Sequence, residues 1–298
     1  MAKPAAALTV VLVVAALVGG VGKAQPSKTG TRLTVTRIGS LPQALAKASA
    51  VVLTEGRLMV LGGYAGGRSL DTILAGPPDR LRRVGHLPLP THDAAAAVVR
   101  GSVYLFGGGE SVSMPSVVRI NPITSQAREA PALDEPLSDL GAVTISGHVY
   151  LVGGYTGVQF ASAILRYDRR GGTSVVGRLP HPTRYAGVTA IGPTIYVAGG
   201  LTPTGVTNAV YAVSLHGSTR QVATLPAPED HAALAALGGR LYLVGGSRVL
   251  AIDPGSGTVS LAARLPASLS DPTATTLGRR IVVTGGGTDG VWSLAPRS

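Results

Sequence analysis

Five side chains stand about one repeat apart along the chain: Asp93, Asp139, Arg184, His231 and Asp271. Their types define a chemistry. Carboxylates accept hydrogen bonds from hydroxyl groups and a guanidinium donates charge-assisted ones, so together they would hold a polar ligand such as a sugar. A carboxylate or histidine with a suitable pKa would also do acid/base work. Next to them fall His92 and Asp230, with Lys47, Ser138, Thr183 and Ser270 at the equivalent position, and Glu229, Tyr185, Tyr64 and Tyr155 close by. The sixth place in the series is Ala48. The same set has a plainer reading: polar side chains that cap a solvent-filled channel and neutralise one another.

Other chemistries are excluded or unsupported. The chain has no cysteine, which removes disulfides, thiolate metal sites and cysteine nucleophiles. It carries no Gly-x-Ser-x-Gly elbow, no His-Glu-x-x-His helix and no phosphate loop; Gly19–Lys23 has neither the spacing nor the setting for one. The histidines at 86, 92, 148, 181, 216 and 231 are dispersed, and His148 sits in a turn, so neither metal nor cofactor is expected. The net charge is +11, but the basic residues come singly or in pairs and aromatic residues make up 4%, which argues against a nucleic-acid surface.

The elements that must position these side chains are repeats. A glycine doublet closes a β-rich run at residues 62, 107, 153, 199, 245 and 285, at intervals of 45, 46, 46, 46 and 40. Before each doublet the sequence resembles Gly-x-Val-Tyr-Leu-Val, as at Gly101–Phe106, Gly147–Val152 and Gly239–Val244. An Ala-rich apolar stretch precedes that run, as at Ala94–Val99 and Ala232–Leu237, and its small side chains suit a strand crowded around an axis. A third strand follows the doublet, for example Ile164–Asp168, and a fourth leads into Leu-Pro at Leu87, Leu179, Leu225 and Leu265. Four antiparallel strands repeated six times specify an all-β, six-bladed propeller. The last repeat ends after its third strand at Val291–Leu294, while Thr34–Ser40 is a spare fourth strand at the other end. Pairing the two would close the ring and remove its exposed edges. Tyr104, Tyr150, Tyr196 and Tyr242 recur once per blade as core residues.

The doublets, the Tyr strands and the Asn/Asp-Pro turns Asn121-Pro122 and Asp253-Pro254 together resemble the kelch-repeat family over residues 32–298. The fourth strands lack the Trp usual in that family, and Trp292 is the chain's single one. The resemblance implies a kelch propeller with binding loops on one face. Galactose oxidase shares that fold, but its copper radical centre needs a Tyr–Cys link that a chain without cysteine cannot form. Sialic-acid mutarotases share it as well, and by that analogy Asp139, Arg184 and His231 would suffice if they converged on an open pocket.

Residues 5–21 form an uncharged apolar run behind Lys3, followed by small residues at Gly22 and Ala24. This is the layout of a secretory signal, and its length also approaches that of a membrane anchor. The expected organisation is a signal or anchor over 1–24, a linker over 25–31 and a propeller over 32–298. The expected role is an exported binding or scaffold module for a protein, glycan or cell-wall component, secreted, periplasmic or at the cell surface. A mutarotase-type enzyme is the alternative.

Overall fold

Strands form where β-branched, aromatic and alanine residues run between glycine turns, because such side chains pack well on a pleated surface. The computed structural model describes residues 32–297; the expected signal or anchor and the linker lie outside the described residues. Blade 1 comprises Ser49–Val52, Leu58–Leu61, Arg68–Gly76 and Arg82–Thr91, and blade 2 comprises Ala95–Val99, Ser102–Phe106, Val117–Ile120 and Ala127–Ala130. Blades 3 and 4 repeat the pattern from Gly141 to Arg178 and from Gly187 to Thr224. All ladders within the blades are antiparallel.

Blade 5 is built differently from its neighbours. Its second and third strands form one run, Arg240–Ile252, with no long loop between them. The first half of that run pairs with Ala233–Leu237 and the second half with Val259–Leu269. This missing loop is the physical origin of the one 40-residue interval. Blade 6 holds Pro272–Leu277, Arg280–Gly285 and Thr288–Pro296, and its outermost strand is Leu33–Leu45 from the other end of the chain. The ring therefore closes across the termini, as the spare strand implied.

Because strand side chains alternate, each blade feeds two interfaces. Val103 and Leu105 pack toward blade 1, whereas Tyr104 and Phe106 pack toward Val149, Leu151 and Tyr167 of blade 3. Six apolar clusters result, one between each pair of adjacent blades. The leucines of the Leu-Pro links are buried in them, with Leu225 at 2% exposure. Tyr104, Tyr150 and Tyr242 are core residues and Tyr196 packs at the edge of one cluster.

The doublets exist because the chain after the second strand turns against the link of the next blade. Gly153 has φ +60°, and a Cβ there would overlap the carbonyl oxygen of Thr183. The following amide, Gly154 N–H, donates to that carbonyl at 2.8 Å. Post-doublet loops and inter-blade links are thereby tied on one face, further joined by the bridges His92–Gly109, Ser138–Tyr155 and Arg184–Leu201.

Candidate functional site

Where the six links meet the axis, one residue per blade adopts a left-handed backbone. These are Lys47, Asp93, Asp139, Tyr185, His231 and Asp271, with φ between 52° and 56°. Each donates its amide to the carbonyl of the preceding member, and Lys47 donates to Asp271, so six bonds of 2.8–3.2 Å form a closed circle. A left-handed residue other than glycine costs about 1–2 kcal/mol, least for Asp and Asn. The circle offsets this by satisfying amides that would otherwise lie unpaired at the axis.

Four of the five candidates, Asp93, Asp139, His231 and Asp271, stand in this circle. Arg184 does not. It lies one residue earlier, and Tyr185 takes the ring position. Ala48 is likewise displaced by Lys47. Both corrections have one cause: the backbone repeats every 46 residues from Lys47 to His231, whatever side chain stands there. Arg184 and Ala48 stand eight residues before the glycine that precedes the second strand, as Asp93, Asp139 and His231 do, but Gly192 comes one place early and Gly56 one place late relative to the ring.

The side chains pair around the mouth. Arg184 Nη2 contacts Asp139 Oδ2 at 2.7 Å, with the Asp139 side chain 2% exposed, and also donates to the Tyr185 hydroxyl. Its guanidinium lies 4.6 Å from the Tyr155 ring centroid, 4.2 Å from that of Tyr185 and 5.4 Å from that of Phe160. Lys47 Nζ meets Asp93 at 2.9 Å, and His92 Nε2 approaches the same carboxylate at 3.5 Å while its Nδ1 faces Ser69 Oγ at 2.8 Å. On the far side of the axis His231 Nδ1 contacts Asp271 Oδ1 at 2.5 Å, and its ring stacks on Tyr185 with centroids 3.8 Å apart. Asp230 makes no side-chain hydrogen bond among the described residues, and Glu229 pairs with Arg248. His92 and His231 turn to different partners.

These contacts set the protonation states. Burial, followed by the negative charge of Asp93, pushes the Asp139 carboxyl up to about 6 despite the nearby Arg184. His231 is raised by its hydrogen bond to Asp271, whereas burial lowers His92. Burial also raises Tyr185, reinforced by the charges of Asp139 and Asp93.

Two cavities open on the ring. One, of about 230 Å³, is the mouth of the axial channel, bounded by the six ring residues and by small side chains such as Ala94, Ala186 and Ala232. A second channel section of about 370 Å³ lies among the innermost strands, lined by residues such as Ala50, Ala96 and Ala235. The other ring cavity, of about 340 Å³, lies off the axis under the blade 2 and blade 3 loops. Lys47, His92, Asp93, Asp139, Arg184 and Tyr155 line it, together with Glu110 and Ser113. Asp139 and Arg184 thus share this pocket, while His231 and Asp271 face only the axial mouth. Glu110 and Phe160 escaped the sequence reading because they stand in post-doublet loops that share no register between blades. Their one signal is a position two to six residues beyond a doublet in a blade with a long loop.

No family model and no curated protein matches the chain. Among solved structures, one titled "Structure of YjhT" is similar over 85% of this chain and 94% of its own, with a TM-score of 0.74 and 13% identity. The likeness is one of fold. It supports a six-bladed propeller of four-stranded antiparallel blades, an architecture consistent with a binding or scaffold module.

Proposed function

We propose that the chain is an exported kelch-type propeller that binds a polar, hydroxyl-bearing ligand, a glycan or cell-wall saccharide, in the off-axis pocket. The observation that carries this reading is Arg184, a permanent cation fixed by Asp139 and three aromatic rings at the wall of a 340 Å³ polar pocket. A positioned guanidinium, a carboxylate beside a lysine and an aromatic face are what orient a sugar without reacting with it. The test is calorimetric titration of the full chain with neutral and acidic saccharides. Arg184→Met is expected to weaken binding at least about tenfold, as loss of a charge-assisted bond implies, while His231→Gln leaves it intact. Absence of binding to every saccharide, or equal loss in both variants, overturns the assignment.

The Asp139 carboxyl, titrating near 6, supports a second reading as a sugar ring-opening acid/base. Asp139 and His231 share the axial mouth while Arg184 lines only the off-axis pocket, so no one cavity holds all three, which counts against a three-residue version of it. Faster exchange between anomers, measured by NMR and abolished in Asp139→Asn, would establish this activity in place of simple binding.

A further inference from the structure

The face opposite the mouth is formed by the turns between first and second strands and between third and fourth strands. Arginines dispersed along the sequence converge there. Arg80, Arg100, Arg169, Arg170 and Arg279 stand exposed on these turns. Acids share this face: Asp168 accepts from the Arg170 amide at 2.9 Å, Asp253 accepts from the Gly255 and Ser256 amides at 3.0 and 3.1 Å, Asp79 lies 3.5 Å from Arg80, and Glu55 stands exposed on the first turn of blade 1. Among the described residues Arg100, Arg169, Arg170 and Arg279 have no carboxylate at ion-pair distance. Between blades 2 and 3 a cleft of about 140 Å³ brings Arg100, Arg166, Arg169 and His148 together around one acid, Asp168.

The chain also enters the propeller on this side. Leu33 pairs with Pro296, the Arg297 amide donates to the Arg32 carbonyl, and the strand then runs toward the mouth, where the Leu45 carbonyl accepts from Gly287. The uncharged apolar run at residues 5–21 therefore precedes this face by about ten residues of sequence. Such a length spans no more than about 35 Å fully extended. Unpaired arginines fit phosphate oxygens, and a basic surface close to a membrane-directed segment is held by anionic lipid.

We infer that this basic face docks on an anionic phospholipid surface, with the mouth turned away from the bilayer. The inference rests on the reading of residues 5–21 as an export signal or anchor and is independent of what the mouth binds.

The absence of cysteine allows a direct test on the full chain. His148→Cys places a fluorophore on the basic face, and Val158→Cys, 89% exposed, places one on the blade 3 loop at the mouth face. Each is mixed with phosphatidylcholine vesicles, with and without phosphatidylglycerol, carrying a lipid-linked quencher. Quenching at position 148 and not at 158 is expected, dependent on the anionic lipid. It should fall about tenfold when Arg100 and Arg169 are changed to Glu or when salt is raised to about 0.5 M. Equal quenching at both positions, indifference to anionic lipid, or retention of soluble duplex DNA by this face without vesicle binding overturns the proposal.

Discussion

Two sectors of one ring, the Asp139–Arg184 side and the His231–Asp271 side, share a backbone and differ in everything built on it. In both, a left-handed residue donates its amide to the preceding ring carbonyl. Around Asp139 and Arg184 the blades carry long post-doublet loops that add Tyr155, Phe160 and Ser113, and the cation there is permanent and largely buried. Near His231 the blade 5 loop has shrunk to a tight turn, the cation is titratable, and its side chain is 30% exposed. Loop length decides whether a ring position becomes a pocket or only a rim. The six-fold backbone supplies the opportunity, and the unequal loops supply the site.

The largest expected way to break this contrast is Arg184→Met, which leaves the Asp139 carboxylate buried without its partner. A loss of about 3 kcal/mol at pH 7 in urea unfolding is expected, within the range for a broken buried pair. His231→Gln should lose about 1 kcal/mol or less, because the exposed sector is screened by water. Equal losses would mean that the sectors do not differ in burial energetics.

The doublets offer a second comparison. Gly153→Ala forces both a positive φ and an overlap with the Thr183 carbonyl, and it should cost about 2–3 kcal/mol. Gly246→Ala, at φ +52° with nothing within 4 Å of the added methyl, should cost about 1 kcal/mol, read from the same unfolding curves.

The pH dependence sharpens the contrast further. The folded Asp139 carboxyl titrates near 6, above its ordinary value, so the native state holds the extra proton and stability falls as pH rises from about 4 to 6. His231, also raised, gives stability that is complete below its ordinary value of 6.5 and is lost as pH rises through the higher folded value. Unfolding measured across pH should therefore show two declines, the first abolished by Asp139→Asn and the second by Asp271→Asn. The smallest effect belongs to Glu229→Gln beside the half-exposed Arg248, about 0.5 kcal/mol or less, as for other surface pairs.

The fold was legible in the sequence because a propeller repeats its chemistry. Each doublet, Tyr strand and buried Leu recurs for the same packing reason, and the spare strand at Thr34 found its partner at the other end of the chain. The site was legible only in part. Asp93, Asp139 and His231 stand eight residues before the glycine that opens the second strand, whereas blade 4 carries that glycine one place early, at Gly192, and so pointed to Arg184 where the ring takes Tyr185. Counting 46 residues from Asp139 would have found it. The off-axis pocket was hidden for a different reason: Glu110 and Phe160 belong to loops that obey no repeat. The basic face was hidden because its arginines come from turns separated by 20 to 109 residues, and single or paired arginines at that spacing look like ordinary solvated charge.

The closed circle of amide bonds at the mouth has an electrostatic consequence. Each of its six N–H groups ends on a neighbouring ring carbonyl, so the components of their dipoles in the plane of the ring cancel around the circle. A helix N-terminus would have contributed a fixed positive potential there. Here each ring amide is already paired with a carbonyl and is not offered to a ligand, so recognition at the mouth is left to side chains, which substitutions can change without removing an amide bond of the ring.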